Sequence, residues 1–111
     1  MANRSIKESD WQMYRELRPI ALERLCERIL QQIGNISADS SQSKHQRYLK
    51  VYQYIHEQDE EISLGFDHNS RSHAFEQILF FRSRNLLDDN EFARFSVELY
   101  SNINDIVNQR E

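Results

Sequence analysis

The chain holds little that breaks a backbone: two glycines, one proline and no threonine among 111 residues, with only three valines. Turn formers are therefore few and the β-branched material that strands favour is thin, so the expected fold class is all-α. A single cysteine, Cys26, excludes an internal disulfide and any thiolate metal cluster, and agrees with a reducing compartment. No apolar run approaches the roughly 20 residues that span a bilayer. The polar start, residues 1–10, has no signal-type apolar segment. A cytoplasmic protein without membrane contact is expected. With only Gly34 and Gly65 available, phosphate-cradling loops and serine-nucleophile elbows are excluded as well.

What is present is 39% hydrophobic and 29% charged, with a mean hydropathy of -0.79. That is too apolar for disorder and too polar for a membrane protein. The length suits one domain over residues 1–111 with one core, residues 1–9 being read as a flexible start. A core of this size leaves a small margin of stability, which self-association would widen. Fourteen Lys and Arg against eighteen Asp and Glu give a net charge of -4. Proteins held to phosphates usually show a basic face, so the balance argues against nucleic acid as a partner.

Helical spacing of apolar residues divides the chain into four segments. The first opens with the N-cap types Ser9 and Asp10, carries Trp11, Tyr14, Leu22, Leu25, Cys26, Ile29 and Ile33, and meets a stop signal at Gly34. Its face keeps register across Pro19, which predicts one helix kinked there. Residues 35–42 read as a loop, and a second helix over 43–66 carries Tyr48, Leu49, Tyr52, Ile55, Ile62 and Phe66. A third helix over 72–84 is apolar on two sides, because Phe80 points away from Ile78. Asn85 suits a left-handed helix end, and Leu87, Asp88, Glu91 and Phe92 fit a capping box with a hydrophobic staple. That box opens a last helix to about residue 109, unless Ser96 restarts it. The expected architecture is a four-helix antiparallel bundle.

If the first two helices turn about residues 35–42, positions at equal height have numbers summing to about 77. Arg18 then faces Asp59, and both lie within apolar stripes, where each charge is costly alone and tolerable in a bidentate pair. The spacing therefore predicts an Arg18–Asp59 salt bridge, with Arg15 competing for it. Tyr52 and His56 fall on or beside the same stripe, so a polar pocket for a small anionic ligand is a second reading of these five residues. The histidines at 45, 56, 68 and 73 lack the repeated Glu-x-x-His spacing of a helical metal site, and no metal or other cofactor is expected. Cys26, on an apolar face with no histidine placed nearby, is not a nucleophile candidate.

The third helix bears on partners. A helix apolar on two sides is either central in its bundle or shared with another chain. Ile78, Leu79, Phe80, Phe81, Leu86 and Leu87 are accordingly the candidate homodimer contact. The second helix is also polarised, with Lys44, Arg47 and Lys50 at its start and Glu57, Asp59, Glu60 and Glu61 toward its end, against the helix dipole. Such an arrangement calls for counter-charges from neighbouring helices or from another molecule.

The segments Asp10-Trp11, Tyr14-Arg15-Glu16-Leu17-Arg18-Pro19, Leu22-Glu23-Arg24 and Cys26-Glu27-Arg28 resemble a group of short bacterial all-helical proteins with no assigned activity. Residues 86–95, Leu-Leu-Asp-Asp-Asn-Glu-Phe-Ala-Arg-Phe, are similar to the turn and helix start of SHOCT-type oligomerisation segments. The second resemblance implies self-association. The resulting expectation is a non-enzymatic interaction or regulatory domain acting as a homodimer with an unidentified protein partner. The alternatives are a sensor of a small anion and a nucleic-acid adaptor.

Overall fold

A computed structural model describes residues 5–110, the last of them as backbone only. Helix α1 is Glu8–Ala38, α2 Lys44–Phe66, α3 Ala74–Ser83, α4 Asp89–Phe92 and α5 Val97–Arg110, with a 3-10 turn at Arg71–His73 before α3. The fold is all-α, and no strand occurs among the described residues. α1 begins before the expected Ser9 and Asp10, with Lys7 as N-cap and the acidic Glu8 and Asp10 in its first turn, where the helix dipole favours them. It runs unbroken through Pro19 and continues past Gly34, which is helical and has no positive φ. The stop comes at Asp39, whose carboxylate accepts from the Ser41 N–H at 3.1 Å and hydroxyl at 2.6 Å. Ser43 and Gln46 then form a capping box that opens α2.

Local signals at the other end are equally explicit. Asn85 is the one non-glycine with positive φ among the described residues, at 56°. The Leu86 N–H reaches the Phe81 carbonyl at 2.8 Å and the Asn85 N–H reaches that of Arg82 at 3.1 Å, the two bonds of a Schellman ending. Asp88 and Glu91 make the expected capping box, and Leu87 and Phe92 on either side of it are buried. The helix it opens is only one turn long. The chain breaks at Ser96 and restarts, so the expected single helix over 88–109 is two and the expected count of four becomes five. The buried carboxylate of Asp10 holds this break: it accepts from the Ser96 N–H and hydroxyl, each at 2.7 Å. The Ser96 hydroxyl oxygen in turn accepts from the Leu99 N–H at 3.3 Å at the start of α5.

The core gathers where α1, the end of α2, α3 and the last two helices meet. Tyr14, Leu17, Ala21, Ile78, Phe81, Leu86, Phe92 and Ile103 are fully enclosed. Trp11 stacks on Tyr14, Tyr14 on Phe81, and Phe81 on Phe66, at centroid separations of 5.4, 6.1 and 5.1 Å. Offset aromatic pairs of this kind add to area burial. The Tyr14 hydroxyl donates to the Gln77 side-chain oxygen, and burial pushes its acidity weaker than an ordinary tyrosine's. Ile6 is buried too, and its carbonyl accepts from Arg71 Nε and Nη2 at 3.0 and 2.6 Å. Of the expected N-terminal segment, Ile6 thus packs into the core and Glu8 and Ser9 belong to the first turn of α1, while residues 1–4 lie outside the described residues.

Away from this core, α1 and α2 project as a hairpin, and the molecule measures 52 × 26 × 24 Å. The turn between Ala38 and Lys44 centres on Ser41, so equal heights on the two helices sum to about 82 rather than about 77. Two side chains report this register: Arg18 Nη2 donates to the Phe66 carbonyl, and Arg47 Nη1 donates to the Ser37 carbonyl at 2.7 Å. The shift follows from one extra turn of α1 beyond Gly34.

Candidate interaction surface

The register decides the fate of the expected charged pair. Arg18, half-buried, gives its Nη2 to the last carbonyl of α2, and its guanidinium lies over the Phe66 ring at 5.6 Å. Asp59 lies farther up the hairpin on the exposed side of α2. The predicted Arg18–Asp59 salt bridge does not form among the described residues, because the later turn carries Asp59 past Arg18 by more than a helical turn. Arg15 is exposed and sits 5.8 Å from the Trp11 ring centre. Of the five candidate ligand residues, Tyr52, His56 and Asp59 are together and the two arginines are elsewhere. With its cationic half missing, the arrangement does not make the expected anion pocket.

The candidate dimer contact is also reassigned. Ile78, Leu79, Phe81, Leu86 and Leu87 are all buried within the one chain, so α3 is the central helix of its own bundle. Phe80, the residue pointing the other way, is half-buried at the edge of Phe66 and against Gly65, with the Arg84 guanidinium 4.6 Å from its ring centre. Both apolar sides of α3 are thus used internally, one by the core and the other by the end of α2. The Leu86-Leu87 turn is held from α1: Arg24 Nη1 donates to the Leu86 carbonyl at 2.9 Å, and Arg28 donates to the carbonyls of Arg84 and Asn85 at 2.6 and 2.5 Å. Arg24 also makes a two-pronged pair with Glu91, at 2.5 and 2.8 Å. These hydrogen bonds hold the Glu91 carboxyl below the usual carboxylate range and the Arg24 guanidinium above its own. Arg18 and Arg28 thus cap the carbonyl ends of α2 and α3, a role that cation placement at helix C-termini makes favourable, and Arg24 holds the turn that follows α3.

The uncovered apolar surface is on α2 instead. Only Gly65 and Phe66 of that helix are fully buried; Val51, Tyr54, Gln58, Glu61 and Ile62 are half-buried along one side. About 110° around the helix, at roughly 100° per residue, lies a second side. Tyr48 is 67% exposed there, Tyr52 59% and Ile55 47%. Together with Val51, His56 and Asp59 they line one continuous shallow groove. Its lining comes from a single helix. A small-molecule site is concave and converges polar groups from several directions, and one helix face cannot enclose a ligand in that way. It can accept another helix, whose anchors would repeat at the same spacing. Isolated exposed apolar side chains such as Leu30, Leu64 and Val97 are ordinary. Three large ones on adjacent turns are a patch, and tyrosine is among the residues that carry most energy at protein interfaces.

The remaining candidate chemistry is dispersed. The His68 and His73 rings stack at 4.2 Å beside Ser70, whose hydroxyl is 2.8 Å from His73 Nδ1. His56 is 4.0 Å from Glu60, both exposed. No group of three or more His, Cys, Asp or Glu with metal-holding geometry occurs among the described residues. No described helix is long and apolar enough to cross a membrane. The arginines on and beside α3 are engaged within the chain: Arg71 with Glu8 at 2.9 Å, Arg82 with Asp89 at 2.8 Å and Arg84 with Glu61 at 3.0 Å. No family model matches the chain, and no curated protein or solved structure matches it.

Proposed function

We propose that this is a non-enzymatic protein-interaction module of the cytoplasm that works as a homodimer and docks through the outer face of α2. The observation that carries the reading is the exposed Tyr48, Tyr52 and Ile55 on successive turns of a projecting hairpin whose other side is half-buried toward α1. A regulatory role fits this design, since covering and uncovering one helix face leaves the core of the molecule undisturbed. The anion-sensor reading loses support from the separation of Arg18 and Asp59, and the adaptor reading from the internal pairing of Arg71, Arg82 and Arg84.

Sedimentation equilibrium on the wild type and on Tyr52→Glu tests the reading. The wild type is expected to approach twice 13.4 kDa at high concentration, and Tyr52→Glu to remain monomeric with unchanged helicity. A wild type that stays monomeric at several hundred micromolar, or a dimer indifferent to Tyr52→Glu, would remove α2 as the self-docking face.

A further inference from the structure

Resting on the docking role of α2, we infer that its occupant is α2 of a second copy, laid antiparallel across a twofold axis near Tyr52. The argument is one of charge along the stripe. At about 100° per residue, Asp59 lies in the middle of the Tyr48, Tyr52 and Ile55 face at its C-terminal end. Lys44 and His45 flank the same face at its N-terminal end. All three are exposed, and none is joined to another group by a salt bridge among the described residues. A parallel copy would set Asp59 against Asp59 and Lys44 against Lys44. An antiparallel copy, with facing residue numbers summing to about 103, sets Tyr48 against Ile55, Val51 against Tyr52, and Lys44 with His45 against Asp59, twice by symmetry. One orientation joins apolar to apolar and positive to negative along the whole face; the other opposes like charges at both ends.

This pairing also resolves the polarity of α2, whose basic start and acidic end run against its own dipole. Side by side and reversed, each helix supplies the counter-charge that the other lacks, and the two macrodipoles oppose. A helix docked there does not compete with α1, because the half-buried side of α2 that faces α1 is roughly 100° around the helix from the docking face. Two such hairpins in contact would make a four-helix arrangement shared between chains, each contributing α1 and α2. The strip from Lys44 to Asp59 is about 24 Å long and one helix wide, smaller than the roughly 800 Å² per partner of a standard interface. A weak, concentration-dependent dimer is therefore expected rather than a permanent one.

Disulfide trapping in a Cys26→Ser background tests direction separately from contact. Tyr52→Cys lies beside the axis and is expected to cross-link to itself in either orientation, so it reports contact alone. Tyr48→Cys mixed with Ile55→Cys is expected to give the mixed cross-link in clear excess over either self-linked product. Asp59→Lys is expected to weaken association roughly tenfold, and adding Lys44→Asp and His45→Asp to it to restore most of the loss. Self-linked Tyr48→Cys and Ile55→Cys products in place of the mixed one, with Tyr52→Cys still linking, would overturn the antiparallel pairing while leaving α2 as the interface. No cross-link from any of the three would overturn both.

Discussion

The two ends of α2 follow different rules. At its C-terminal end Glu61, Gly65 and Phe66 are held by Arg84, Phe80, Phe81 and Arg18 and Ile62 packs against the core, so one whole side of the helix is tied down while Leu64 on the opposite side stays exposed. At its N-terminal end one side lies on α1 and the tyrosines of the adjoining side face water. The same contrast appears in the two glycines. A side chain added at Gly65 would strike the Phe80 ring, whereas one added at Gly34 would meet nothing within 4 Å. One end is tied into the core, and the other carries Tyr48, Tyr52 and Ile55 open to water.

Substitutions sharpen this contrast, beginning with the largest effect. Phe81→Ala in the core end should cost about 3–5 kcal/mol, while Tyr52→Ala in the arm should change monomer stability by about 0.5 kcal/mol or less. Chemical denaturation of dilute protein measures both, and similar losses would erase the distinction. Asp10→Ala should cost about 2–3 kcal/mol, because it leaves the Ser96 N–H and hydroxyl without their buried acceptor. Asp10→Asn should recover only part of that loss.

The glycines should respond with opposite signs. Gly65→Ala gains helix propensity but pushes on a ring already fixed by Phe66 and Arg84, and a net loss of about 1–2 kcal/mol is expected. Gly34→Ala fills empty space on an established helix and should stabilise by about 0.5–1 kcal/mol. Thermal melts of the two variants side by side give the answer directly.

The smallest effect is acid sensitivity at the clamp between α1 and α4. Glu91 is held below the usual carboxylate range, first by its hydrogen bonds from Arg24. A carboxylate lowered on folding stabilises the native state above the range in which it titrates when unfolded, and that contribution disappears as pH falls through its folded value. The wild type should therefore lose about 0.5 kcal/mol or less beyond what Glu91→Gln loses as pH falls through and below the usual carboxylate range. Parallel slopes for the two proteins would show that the pair contributes nothing.

What the sequence disclosed divides along the same line of local against distant. Asn85, Asp88 and Glu91 were legible because their bonds close within a few residues, and the turn formed as their chemistry requires. The all-α class followed from the scarcity of turn and strand formers. The hairpin register was not legible, because it depended on whether α1 stopped at Gly34. Glycine costs a helix only about 1 kcal/mol, and the chain ran on to Ala38. That one turn moved Asp59 beyond Arg18 and undid the expected pair. Asp10 with Ser96, and Arg24 with Glu91, join residues far apart in sequence and leave no periodic trace. The apolar stripe of α2 was visible as a stripe, but periodicity could not say that the chain would cover α3 on both sides and leave Tyr48 and Tyr52 open.

Hydrogen exchange at several protein concentrations tests the central contrast most directly. Amides of residues 44–59 on α2 should gain protection first and most as concentration rises through the micromolar range, while those of α3, already enclosed, should gain no more than the global stabilisation that dimerisation confers. Protection that is independent of concentration on α2, or that rises on α3 instead, would contradict the account.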